Sequence, residues 1–511
     1  MKISIISPNL SGCVSILDCG VTYLATYINE RTSHSATIWD YTFKRKEWRS
    51  YIKSKFHEEN PDVIGITFTT LYKKYVIDTV NEIRANISRD IPIIVGGYHA
   101  TLRPRESISI PGVNAVAIGE GEYILENYLD ALSSNSDLSE VKGLAYKNPE
   151  GKLIENPRET WIKDINGLPF PNYELWEDID TYFYFLGQLW LIGSRGCPYS
   201  CTNCEELYIR ESVPGNRYRV RNPKNYVDEI VYHYKKFHNR GFRMAHPFDP
   251  VFPINKKWTE EFCRYYIKSG LSTKLPFSIF ARGDTFYIRE EGDKVRDKFD
   301  EERLKFLAEA GCKEIRIGLE AGTERMRNEI HQKNVANKQM EETFKYCHKY
   351  GVITIAYNML GGPTETREEM IETFKMNRRV KANKPIFFIY QTLAHEVEVP
   401  MAGEFSCSSN YPDIANPEFK EKSERSDQDQ ATIQFGEPID SKTFSKRWVI
   451  YFQLFCYAYV VGRRVIRLAL KQRFVFFKNF AVFMYKGYKK GANMKIVFAY
   501  FLSSCGDNLF D

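Results

Sequence analysis

Cys197, Cys201 and Cys204 stand at positions 1, 5 and 8 of one short loop, Cys197-Pro198-Tyr199-Ser200-Cys201-Thr202-Asn203-Cys204. Thiolates are soft ligands, and three of them converging from a single loop suit iron held with sulfide. A structural zinc site closes with a fourth Cys or His nearby, whereas the next cysteine after Cys204 is Cys263. Three ligands to a four-iron cluster leave one iron open, as a cluster that must bind substrate or cofactor requires. Gly196 and Pro198 flank the first cysteine, and the apolar run Leu189-Trp190-Leu191-Ile192 reads as the strand that delivers the loop.

The rest of the chain must position that loop. Its 511 residues allow about two to four domains, and 43% hydrophobic with 27% charged residues describes a globular protein rather than a disordered one. The 11 cysteines are odd in number and scattered outside the triad, which argues for reduced thiols in a cytoplasmic setting. The N-terminal Met1-Lys2-Ile3-Ser4-Ile5-Ile6-Ser7-Pro8 reads as a first strand and not a signal peptide.

Through about residue 140, short apolar runs alternate with helical stretches. Strands are predicted at 2–7, 36–39, 62–68, 92–95 and 115–118, with a helix over 20–31. Unalternating apolar strands separated by helices imply a parallel sheet covered on both faces, a doubly wound Rossmann-like domain with ligands at the carboxyl ends of its strands. Two of those ends carry glycine turns, Gly96-Gly97-Tyr98-His99 and Gly119-Glu120-Gly121-Glu122, where backbone can approach a flat or anionic ligand. Residues 141–185 read as a linker, with a turn at Asn148-Pro149-Glu150-Gly151 between short strands. From 186 to 395 the β/α rhythm resumes, with strands near 241–246, 276–281, 314–319, 352–358 and 386–390 after the one before the cysteines.

The Cys-x3-Cys-x2-Cys triad resembles the signature of radical S-adenosylmethionine (SAM) enzymes. Gly-Gly-x-His-x-Thr at 96–101, Ile118-Gly119-Glu120-Gly121-Glu122 and the phrase Gly167-Leu168-Pro169-Phe170-Pro171-Asn172-Tyr173 extend the resemblance to the cobalamin-binding branch of that family, over about residues 1–395. The resemblance implies a partial (β/α)6 barrel and a [4Fe-4S] cluster on Cys197, Cys201 and Cys204. It implies SAM contacts at strand ends: Asp249 for the ammonium, Arg282 for the carboxylate, and Glu320 toward the ribose or sulfonium side. Gly361, Gly362 and Pro363 would lie by the adenine, with Thr364 where the family phrase carries a second glycine. It also implies cobalamin at Gly96, Gly97, His99, Gly119, Glu120 and Gly121. The loop Ser7–Cys13 lacks the cobalt-ligating histidine of methionine-synthase-type domains, so no axial histidine is expected from it.

Beyond this core, 396–440 is Ser-, Asp- and Glu-rich and reads as a variable loop or lid. The segment 441–506 holds 13 Lys and Arg and no Asp or Glu, which leaves residues 1–440 at −5 although the whole chain is +6. Its mix of aromatic and basic residues, within a mostly helical region 441–511, suits either a helix lying on anionic membrane or a helical cap on the barrel. Nucleic acid is not expected, since no recognition module accompanies the basic stretch. The resemblance implies SAM cleavage to a 5′-deoxyadenosyl radical, a reducing partner such as flavodoxin or ferredoxin, and a small-molecule, lipid or peptide substrate. Methylation of an unactivated carbon is the leading expectation. A radical cyclase is the second, and a non-catalytic iron–sulfur or corrinoid-binding regulator is a rival of another class.

Overall fold

A computed structural model of the chain describes residues 1–390 apart from 13, 15–16, 253–254 and 289–296, together with 443–445, 447–460, 485 and 488–489. Its first sheet is built on β1 (Lys2–Ser7), β2 (Ser35–Asp40), β3 (Val63–Thr67), β4 (Ile93–Gly96) and β5 (Ala115–Ala117), parallel and ordered β2-β1-β3-β4-β5. Successive side chains of a strand point to opposite faces. Ile3 and Ile5 accordingly share a core with Val21 and Ile28 of α1 (Cys19–Arg31) and Leu125 and Leu129 of α6 (Gly121–Ser134). Ile6, Ile64 and Ile66 fall in a second core with Ile52 of α2 (Trp48–Glu59) and Val76 and Val80 of α3 (Lys73–Asn86). Both faces are covered, as the unalternating apolar strands required. Two short helices, α4 (Tyr98–Leu102) and α5 (Pro104–Ser109), follow β4.

The stretch expected as a linker does more than connect. β6 (Leu144–Lys147) and β7 (Leu153–Glu155) turn at the predicted Asn148–Gly151 and pair antiparallel onto the open edge of β5. An uncovered edge presents unpaired backbone groups, and this hairpin satisfies them. After it, α7 (Ile179–Phe185) and the residues before it fasten the two halves together: Trp176 Nε1 donates to Thr22 Oγ1 at 2.8 Å, and the Tyr182 hydroxyl donates to Asp40 Oδ2 at 2.7 Å.

The second sheet opens with β8 (Gln188–Leu191), which leads into a small ribbon of β9 (Ser194–Arg195) and β10 (Arg219–Val220). Then come β11 (Met244–Pro247), β12 (Phe277–Ala281), a second ribbon of β13 (Tyr287–Ile288) and β14 (Lys298–Phe299), β15 (Cys312–Glu320), β16 (Ile353–Leu360) and β17 (Lys384–Ile389). β8, β11, β12, β15, β16 and β17 are parallel and adjacent in chain order, and β8 and β17 end the sheet without meeting, which is the open six-unit barrel. Helices α8 (Glu205–Ser212), α9 (Pro223–Phe237), α10 (Lys256–Lys268), α11 (Glu301–Glu309), α12 (Asn337–Lys349) and α13 (Arg367–Arg379) intervene. The outward residues Leu189, Ile279 and Ile317 are fully buried with Ile230, Phe262 and Phe344 of those helices, and each such side chain contributes roughly 1.5–3 kcal/mol. α13 starts on a capping box at Thr366, whose Oγ1 accepts from Glu369 N at 3.2 Å.

Residues 447–460 are helical and lay Val449 and Cys456 on Leu360 and Phe387 at the last two strands. That part of the C-terminal region is a cap on the barrel. The loop 396–440 and the basic side chains Arg463, Arg464, Arg467, Lys471 and Arg473 lie outside the described residues. Among the described residues no helix is long and apolar enough to cross a membrane.

Candidate active site

The cysteine loop leaves β8 through the β9–β10 ribbon and ends at Cys204, the N-cap of α8. Gly196 has φ +80°, and a Cβ there would stand 2.5 Å from the Arg217 carbonyl oxygen, so only glycine lets the ribbon close before Cys197. From the other side Thr202 ties the loop to the end of a helical turn, donating its N–H to His331 O at 3.1 Å and its hydroxyl to Ile330 O at 2.7 Å. Arg282 Nη1 donates to Cys201 Sγ at 3.3 Å, and the guanidinium lies over the Tyr199 ring, 3.7 Å from its centroid.

The donor set fits a cluster. Cys197 is buried and Cys201 and Cys204 are half-buried. Burial raises the Cys197 thiol and pushes Cys204 up to about 12, so metal must displace protons to bind. Among the described residues no three Cys, His, Asp or Glu close on one metal ion. Of the remaining described cysteines, Cys263, Cys312, Cys347 and Cys456 are buried in apolar cores and Cys19 is buried beside Asp18 and Arg195.

The strand-end residues expected to meet SAM all reach the rim, but the charged ones already hold partners within the chain. Arg282 does not present an open fork: Nε donates to Asp284 Oδ1 at 2.8 Å and Nη2 to the Lys333 carbonyl. Glu320, at φ +62°, accepts from Lys333 Nζ at 2.6 Å. Asp249 is fully buried and accepts from Ser194 Oγ at 2.6 Å. A buried charge is costly until compensated, and these partners compensate it. One atom is left over that fits a cation such as the SAM ammonium: Asp249 Oδ2 is buried with no partner, and burial pushes that carboxyl up to about 7. Gly361 and Gly362 donate their N–H groups to Glu365 Oε2 at 2.6 and 3.0 Å, so the expected adenine turn is braced from within by a carboxylate whose importance the sequence did not signal. Burial pushes Glu365 up to about 8. Thr364, next to Pro363, has φ +60°, so the backbone keeps the conformation that the family phrase gives to glycine.

At the N-terminal domain the expected corrinoid residues divide. Gly96 and Gly97 are half-buried beside Tyr98, which is 38% exposed, and this leaves the carboxyl end of β4 open to a flat macrocycle. Gly97 has φ +106°, and a Cβ there would sit 3.0 Å from the Phe68 carbonyl oxygen. His99 turns away from that opening: it is buried, stacks on Phe68 at 4.2 Å, and sets Nδ1 3.1 Å from Thr70 Oγ1. Burial lowers its pKa. Gly119 and Gly121 face Val213 and Leu24. Glu120 is the hub of an ionic cluster rather than a cofactor contact, accepting from Arg195 Nη1 at 3.0 Å, Arg219 Nη2 at 2.7 Å and Ile162 N at 2.8 Å. Burial alone would raise this carboxyl, but Arg219, Arg195 and Arg217 outweigh it and hold the pKa down at about 2.

The cluster loop and the N-terminal domain meet directly. Arg195 also donates to Glu122 Oε1 at 2.6 Å, and the Tyr98 hydroxyl donates to Glu206 of α8. Family models match both halves: the Radical SAM superfamily over residues 191–376 and the B12 binding domain over residues 15–129. The chain belongs to the cobalamin-binding radical SAM family. The matched domains are those of SAM-dependent radical chemistry and of B12 binding, and a structurally similar methyltransferase of Kitasatospora setae is solved with cobalamin and a [4Fe-4S] cluster bound. An uncharacterized methyltransferase of Pyrococcus horikoshii is 28% identical over 377 residues, 72% of this chain and 75% of that protein. An anaerobic magnesium-protoporphyrin IX monomethyl ester cyclase of Rubrivivax gelatinosus is 26% identical over 423 residues, 78% and 71%. The fold is shared with a radical SAM methyltransferase of Kitasatospora setae, solved with tryptophan and a SAM analogue, at TM-score 0.62 and 19% identity over 78% of this chain and 75% of that one.

Residue types alone did not flag Asp284, Lys333, Glu365 or the arginines at 195, 217 and 219. The available signal was their crowding near glycine turns, where charged side chains without an assigned ligand need partners.

Proposed function

We infer that this radical SAM enzyme transfers a methyl group to an unactivated carbon of a small metabolite, peptide or lipid, in a reducing cytoplasmic setting with flavodoxin or ferredoxin as electron donor. When bound, the cluster supplies the electron that cleaves SAM to methionine and a 5′-deoxyadenosyl radical, and cobalamin supplies the methyl group. The observation that carries the reading is the bridge through Arg195, which joins Glu120 and Glu122 of the B12-binding domain to the loop two residues before Cys197. It holds the two cofactor domains in one register, and α4 rests on α8 just beyond Cys204. The rim residues orient SAM: Asp249 Oδ2 toward a cation, with the Arg282–Asp284 pair steadying the cysteine loop. The methyltransferases of Pyrococcus and Kitasatospora favour methyl transfer, and the Rubrivivax cyclase keeps ring formation as the second reading.

Anaerobic reaction with SAM carrying a deuterated methyl group tests the choice. Methyl transfer predicts a product heavier by one labelled methyl, with S-adenosylhomocysteine formed alongside 5′-deoxyadenosine. A product that loses hydrogen and acquires no label would establish the cyclase instead. A regulator would form no 5′-deoxyadenosine under reduction.

A further inference from the structure

The inner face of the six-stranded sheet carries aromatic rings on four of its strands, β8, β12, β16 and β17. Trp190, Phe280 and Tyr357 are half-buried and Phe388 is exposed, while their neighbours Leu189, Ile279, Ala356 and Phe387 are closed against helices. This is the two-residue period of strands with one face packed against helices and the other turned to the interior of the open barrel. Two groups of rings are nearly parallel within themselves, Trp190 to Phe248 at 4.1 Å and 24°, and Phe280 to Tyr357 at 6.0 Å and 27° with Tyr357 to Phe388 at 5.9 Å and 14°; Phe248 meets Phe280 edge-on at 72°.

Two contacts set this band directly beneath the cysteine loop. Arg282, two residues beyond Phe280 and on the same face, reaches Cys201 Sγ. Met359, two residues beyond Tyr357, is touched by Asn203 Nδ2 through its sulfur at 3.7 Å. Glu314, toward the other end of β15, pairs with Lys384 and with Arg316 at 3.1 Å each, and the Arg316 guanidinium, level with Phe280 in the sheet register, lies 5.7 Å from the centroid of that ring. In the middle stands His246, fully buried, its Nδ1 bonded to Ser278 Oγ and its Nε2 without a partner. Burial lowers the imidazole well below its ordinary pKa and keeps it neutral.

A sugar, nucleotide or peptide backbone would need several polar partners to leave water, and this wall offers few. Flat π-faces instead gain from offset stacking. We propose that the barrel interior takes a flat, conjugated and uncharged ring system as substrate, stacked along Phe280, Tyr357 and Phe388, with one polar substituent on His246 Nε2. The proposal rests on the radical SAM reading given above, and it narrows the substrate class.

The test uses the full-length protein and 2-naphthol, whose fluorescence anisotropy reports binding. The result expected is saturable binding, with decahydro-2-naphthol competing at least about tenfold more weakly. Phe280→Leu and Tyr357→Leu should each weaken binding roughly twofold to tenfold. His246→Leu should abolish the preference for 2-naphthol over naphthalene. Circular dichroism checks the fold of each variant, and Phe388→Leu, at the exposed end of the band, replaces any that unfolds. No saturable binding by the wild type, equal competition by the saturated ring, or indifference to the ring substitutions overturns the proposal. Reductive formation of 5′-deoxyadenosine is measured separately. SAM cleavage without naphthol binding defeats the substrate class alone, and binding without SAM cleavage defeats the radical reading alone.

Discussion

Arg195 spans Glu120 and Glu122, its two terminal nitrogens 3.0 and 2.6 Å from their carboxylates. Its side chain is 13% exposed and theirs are 8% and 5%. At that depth one missing partner strands a charge, and breaking such a pair costs about 3–5 kcal/mol. Glu120 keeps Arg217 and Arg219, whereas Glu122 loses its ion-pair partner. Arg195→Met should therefore destabilise the protein by roughly 3 kcal/mol in urea unfolding. Arg195→Met in a Glu122→Gln background should lose clearly less, and equal losses in both backgrounds would mean that the pair is not coupled.

Replacing Cys197, Cys201 and Cys204 together by Ala should abolish cluster iron after anaerobic reconstitution, and SAM cleavage with it. Cys263 and Cys312 are buried in the helix-covered core, remote in role from the loop. Their single Ala variants should retain about four irons per chain, as a cluster ligated elsewhere does. Iron analysis and the charge-transfer absorption decide the matter, and cluster retained by the triple variant would refute the assignment.

Burial pushes Asp249 up to about 7 from an ordinary 3.8. The folded protein then keeps a proton that the unfolded chain has released, so stability falls as pH rises from about 4 and the loss is complete above about 7. Each tenfold separation of the acid constants is worth ~1.4 kcal/mol, which sets a ceiling on the order of 4 kcal/mol. Asp249→Asn imitates the neutral acid and still accepts from Ser194. Its melting temperature should exceed that of the wild type at pH 8, and the gap should shrink toward pH 4. Glu365, pushed up to about 8, has the same sign in both proteins, so the difference isolates Asp249.

Thr364 holds φ +60°, a region where a β-branched residue is strained by about 1–3 kcal/mol. Arg325 Nη1 donates to its Oγ1 at 3.2 Å, but that guanidinium also holds Glu369 Oε2 at 2.6 Å and the Thr364 carbonyl at 3.0 Å. Relief of strain should outweigh one lost bond, and Thr364→Gly should gain roughly 0.5–1 kcal/mol. Thermal unfolding measures this, and a loss of stability would show that the hydroxyl matters more than the backbone.

What could be read from the chain alone was whatever depends on near neighbours. The spacing of Cys197, Cys201 and Cys204 declares its chemistry within one loop, and apolar runs such as 2–7 and 314–319 became β1 and β15 because a strand buried on a face needs little beyond its own pattern. The Asn148–Gly151 turn is local in the same sense. Tertiary structure decided where the charges went. Glu120 looked like a ligand beside glycines until Arg219, 99 residues away, arrived against it. Glu320 met Lys333, 13 residues on, Arg282 met Asp284 and a cysteine sulfur, and His99 went into the core of its own domain. A side chain's cost of leaving water is set by how deeply it is buried and by what else is buried with it. Neither quantity exists until both sheets are folded, so residue type could place these groups near the site but not say which of them would remain open to a cofactor.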